Sequence, residues 1–142
     1  MASLFLTLPA HADEFSGTWT GKGTMDSQDR QQAIAAQFTL TVNVAADHLQ
    51  IKECWDTGEN IPGSKDCMMS NYPVKVGDIY SDNRKIGDIY PDYITTLDSN
   101  SQVSEQMILN VEGGGASMLF EYNYMNLDGN SDHHKVLLTK AP

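Results

Sequence analysis

Residues 37–44 read QFTLTVNV. Phe38, Leu40, Val42 and Val44 fall on one face of an extended chain, and Gln37, Thr39, Thr41 and Asn43 on the other. A period of two marks a strand with one buried face. The same period recurs on both sides of this stretch. Residues 48–55, HLQIKECW, put Leu49, Ile51 and Trp55 together. Residues 102–111 align Val103, Met107, Leu109 and Val111, and residues 117–125 align Met118, Phe120, Tyr122 and Tyr124. His134, Val136 and Leu138 alternate near the end, and residues 15–25 place Phe15, Trp19 and Met25 beside Gly17, Gly21 and Gly23.

Turn chemistry separates these runs. AAD at 45–47, SDNRK at 81–85, DSNS at 98–101, EGGG at 112–115 and LDGNSD at 127–132 suit short hairpin loops. VGDIYSDN at 76–83 is echoed by IGDIYPDY at 86–93, which reads as two neighbouring strands. Residues 26–36, DSQDRQQAIAA, have helical propensity but one strongly apolar residue, Ile34, so they read as a loop or a short turn of helix. The pattern predicts an all-β chain: a single antiparallel up-and-down β-barrel of about eight strands, with closure removing both sheet edges.

Composition narrows the class. With 142 residues the chain is expected to form one domain. No apolar run is long enough for a helical membrane span, and 8% aromatics is thin for the girdles of an outer-membrane barrel. The formal charge of -10 argues against nucleic acid, whose phosphates it repels, and suits solubility or a basic protein partner.

Residues 1–12, MASLFLTLPAHA, resemble the remnant of a secretory signal peptide, with Ala10-His11-Ala12 as a small-x-small cleavage site before Asp13. The basic start is missing, since the first cation is Lys22. The expected domain is therefore residues 13–142, secreted or periplasmic. Cys54 and Cys67 agree with export, because an oxidising compartment would pair them across a segment containing Gly58, Pro62 and Gly63.

At residues 15–21, FSGTWTG, the chain resembles the lipocalins and their small-barrel relatives, the calycins, whose first strand carries Gly-x-Trp; here that is Gly17, Thr18 and Trp19. The resemblance implies that Trp19 packs across the closed end of the barrel beneath a cation from the last strand, for which Lys140 is the candidate. Pro91-Asp92-Tyr93 is similar to the family's Thr-Asp-Tyr motif but lacks its Thr. The nitrobindin-like haem barrels are a related resemblance, and they would cast His134 as an iron ligand.

Few residues suggest chemistry. His133 and His134 point to opposite faces of a regular strand, so they do not clamp one metal. Asp128, Asn130 and Asp132 have the spacing of a calcium loop, but His133 and Thr139 stand where an EF-hand needs Gly and a carboxylate. Glu53 and Glu105 share faces with apolar neighbours and are expected to point inward, each needing a partner or a polar cavity. No nucleophile–base pair or phosphate loop is apparent, so enzymatic activity is not expected. The leading expectation is a binding protein carrying a small apolar or amphipathic ligand, lined by Trp55, Met118, Phe120, Tyr122 and Tyr124 and anchored by Glu53 or Glu105. The alternative is a module that inhibits a cationic enzyme, a lysozyme or protease, through the loop bearing Asp56, Glu59 and Asp66.

Overall fold

A computed structural model describes residues 14–27, 33–60 and 62–142; residues 1–12, read above as a signal remnant, lie outside them. The chain forms ten strands: β1 (Gly17–Ser27), β2 (Ile34–Val44), β3 (His48–Asp56), β4 (Lys65–Lys75), β5 (Asp78–Ser81), β6 (Arg84–Ile89), β7 (Tyr93–Ser99), β8 (Val103–Glu112), β9 (Ser117–Asn126) and β10 (Ser131–Lys140). Each pairs antiparallel with its neighbours in sequence. β1 also pairs with β10, so the up-and-down sheet closes in a ring.

The count corrects the expectation of about eight strands. β4 and β7 are the additions, and both hide their period. In β4 the adjacent Met68 and Met69, followed by Pro73, blur the alternation. In β7 the inward positions after Ile94 are Thr96, which is buried, and Asp98. The reading of segment 26–36 is corrected at its two ends, where Asp26 and Ser27 end β1 and Ile34 to Ala36 open β2; residues 28–32 lie outside the described residues. The echoed pair forms β5 and β6, joined through Asp82 and Asn83 with φ of 50° and 63°. Positive φ at two successive residues gives the twist a tight hairpin requires, and Asp and Asn tolerate it.

Closure has a local cause. Gly21 and Gly23 face β10, and a Cβ on either would lie 2.3 Å from the Leu137 carbonyl oxygen or 2.4 Å from that of Lys135. Side chains at these positions would hold β1 away from its partner.

One end of the ring is plugged. Trp19 is wholly buried and donates its indole N–H to the Phe15 carbonyl at 2.9 Å. The Lys140 ammonium lies 5.3 Å from the Trp19 ring centroid and donates to the Glu14 carbonyl at 3.2 Å. Phe15, Leu40, Leu49, Ile51, Ile94, Leu109, Met118, Phe120 and Leu138 belong to the same buried cluster, each with at most 2% exposure. The lower barrel is thus a packed core.

Candidate functional site

Among the described residues the buried acidic and basic side chains are Glu53 and His134. His134 on β10 is wholly buried, and Glu53 on β3 is 2% exposed. Glu53 Oε2 lies 2.6 Å from His134 Nδ1, and Asp132 Oδ1 lies 3.1 Å from His134 Nε2. The strand period places Asp132 and His134 on one inward face and Glu53 and Trp55 on another. Burial pushes His134 toward its neutral form. The hydrogen bonds to Asp132 and Glu53 outweigh that burial and raise its pKa to about 9. Phe38, Trp55 and Tyr122 surround the imidazole with ring centroids 5.8, 5.4 and 5.3 Å away.

A second polar group lies beside the first. Tyr122 donates to Glu105 Oε2 at 2.9 Å, and the Tyr72 hydroxyl reaches Glu105 Oε1 at 3.5 Å. Burial, then the charge of Glu105, pushes the Tyr72 hydroxyl up to about 12 and raises Tyr122 further. Both phenols therefore stay protonated at neutral pH and act as donors. Glu53 and Glu105 both point inward, but with different outcomes. Glu105 has a partner on each oxygen. Glu53 Oε1 is buried with no hydrogen-bond partner among the described residues.

Above this layer the barrel opens into a cleft of about 330 Å³. Met25, Trp55 and Tyr124 supply its apolar walls, and Asp26 and Asp132 are its charged side chains. Trp55 is held from the rim, where its indole N–H donates to the Gly63 carbonyl at 3.2 Å. The Cys54–Cys67 disulfide joins β3 to β4 at directly opposed positions just below that loop.

The residues singled out from sequence therefore lie at different depths. Trp55 and Tyr124 line the cleft; Tyr122, Glu53 and Glu105 lie in the polar layer near it. Met118 and Phe120 lie deeper and are enclosed completely by the core. His133 is on the outer face beside Asn123. Asp128 and Asn130 belong to a turn in which the Asn126 side chain accepts from the Asn130 N–H. Asp56 and Asp66 accept from the backbone N–H groups of Gly58 and Cys67, and Glu59 is exposed.

His134 does not suit haem in this arrangement, because a carboxylate occupies each ring nitrogen and the adjoining space is filled by three aromatic rings. No group of three metal-binding side chains suited to an ion occurs among the described residues. Two site residues were not read from sequence as facing inward. Asp132 was masked by its turn-like context, although its parity with His134 and Val136 carried the signal. Tyr72 was masked by the irregular period of β4.

No family model matches the chain, and no curated protein matches it significantly. Among solved structures it is similar to a protein of unknown function of the DUF3598 family from Nostoc punctiforme, with a TM-score of 0.61 and 11% identity. That similarity covers 98% of this chain and 52% of the other, so this chain spans about half its length. At such identity the likeness concerns the fold alone.

Proposed function

We propose that this protein is an exported, lipocalin-like, non-catalytic binding protein that holds one small amphipathic ligand at the mouth of its barrel. The carrying observation is the contrast between the two ends. The lower barrel is filled, whereas the mouth keeps an aromatic-walled cleft of about 330 Å³ above a layer of buried polar groups. Apolar walls with a few fixed polar groups are what small-molecule sites offer. Trp55, Tyr124 and Met25 contact the apolar part of the ligand, and Asp132 and the polar layer meet its head. The hydrophobic stretch with its small-x-small site and the paired cysteines support export.

Native mass spectrometry of the protein purified gently from its producing cells tests this reading. A discrete adduct lost on denaturation, and absent from a Trp55→Ala/Tyr124→Ala variant that still folds, is the expected result. A clean protein mass, together with no change in tryptophan fluorescence across a panel of amphiphiles, would overturn it.

A further inference from the structure

The mouth carries a chemical preference that cleft size alone does not set. Among the described residues its charged lining consists of two carboxylates, Asp26 and Asp132. Asp132 is only partly committed, since Oδ1 alone engages His134. Two residues deeper than Trp55 on the same face of β3, Glu53 leaves Oε1 buried and unpartnered, the only side-chain atom in that state among the described residues. An acceptor stripped of water without a donor costs on the order of 1–3 kcal/mol, more when charged. The described residues offer it no donor. Tyr72 and Tyr122 are taken by Glu105, and the His134 Nδ1 is taken by the other Glu53 oxygen. The cleft walls are an indole and a phenol, whose ring faces attract cations.

We infer that the ligand carries an ammonium head, which enters between Trp55 and Tyr124, donates to the Asp132 oxygen that His134 does not engage and supplies the missing hydrogen bond to Glu53 Oε1. The inference rests on the mouth being the binding site and adds the head-group class. The formal charge of -10 favours approach of such a ligand. Three residues of the layer, Glu53, Asp132 and Glu105, are acidic and one, His134, is basic, so an added cation improves the local balance.

Three probes that differ only at the head group test it: decylammonium, decanol and decanoate, titrated by calorimetry at pH 7 below their aggregation concentrations. Decylammonium is expected to bind about tenfold or more tightly than decanol, with decanoate weakest. Asp132→Asn, a substitution at a part-exposed position, is expected to cut the ammonium-to-alcohol ratio at least threefold, and Glu53→Gln further if it folds. Equal binding of all three probes would overturn the head-group inference and leave the binding site standing. Ammonium preference that survives Asp132→Asn and Glu53→Gln intact would also overturn it, by placing the cation elsewhere. Failure of all three probes to bind would remove the inference together with the mouth as a site for amphiphiles.

Discussion

His134 and Glu53 lie 81 positions apart in sequence and meet at 2.6 Å inside the barrel, the one wholly buried and the other 2% exposed. The Asp132 hydrogen bond to His134, together with this contact, makes folding stability depend on pH. The folded-state pKa of His134 stands at about 9, above the ordinary value of 6.5. A raised pKa means that the folded protein binds the proton more tightly than the unfolded chain does. The resulting stabilisation is complete below about pH 6.5 and is lost as pH rises through about 9; it is on the order of 3 kcal/mol. Urea denaturation midpoints should therefore fall between pH 6.5 and pH 9.5. His134→Gln should flatten the profile over that window. A wild-type midpoint that is constant across it would show that the imidazole is not held protonated.

The same pair predicts asymmetric mutational costs. Removing one partner leaves a buried charge or donor uncompensated, whereas replacing both with apolar groups removes the demand. Glu53→Ala should cost about 3–5 kcal/mol. Glu53→Leu combined with His134→Leu should cost less than the sum of the two single changes, by more than about 1 kcal/mol. Thermal or urea melts of the four proteins give the coupling directly. Strict additivity would mean that the contact contributes nothing to stability.

The sequence made some of this arrangement legible and concealed the rest. Regular alternation in residues 37–44 and 117–125 identified β2 and β9, because their inward positions are apolar without interruption. The parity rule also turned Glu53, Glu105 and His134 inward. It said nothing of which of them meet, since β3, β8 and β10 are brought together only by closure of the ring. β4 and β7 were hidden by polar residues on inward positions and by Pro73. The division of the interior into a filled half and an open mouth depends on packing volume, which periodicity does not encode.

The disulfide should matter both for stability and for the mouth. Cys54 and Cys67 are separated by 13 positions and close the loop that carries Gly63, the acceptor of the Trp55 indole N–H. A loop of that size constrains the unfolded chain by about 3 kcal/mol in the chain-entropy model. Reduction, or Cys54→Ser with Cys67→Ser, should lower the urea midpoint accordingly. It should also red-shift the tryptophan emission, because Trp55 loses its rim support while the buried Trp19 does not. Unchanged emission after reduction of a protein that remains folded would separate the loop from the position of Trp55.

Closure of the ring can be tested at Gly23. Replacing Gly by Ala at a position compatible with both residues stabilises a protein by about 0.4–1 kcal/mol, because the unfolded chain loses freedom. At Gly23 the added Cβ would meet the Lys135 carbonyl oxygen at 2.4 Å and Val136 Cβ at 2.5 Å. Neither neighbour is the free end of a flexible side chain, so β1 and β10 must separate. Overpacking of this kind costs about 1–3 kcal/mol and reverses the sign of the substitution. Gly23→Ala should therefore lower the melting temperature. Amide exchange should quicken at Gly23 to Met25 and at their partners His134 to Val136, while β3 and β4 on the far side of the ring keep their protection. A neutral or stabilising Gly23→Ala would mean that β1 and β10 do not approach closely, and hence that the ring is open at that seam.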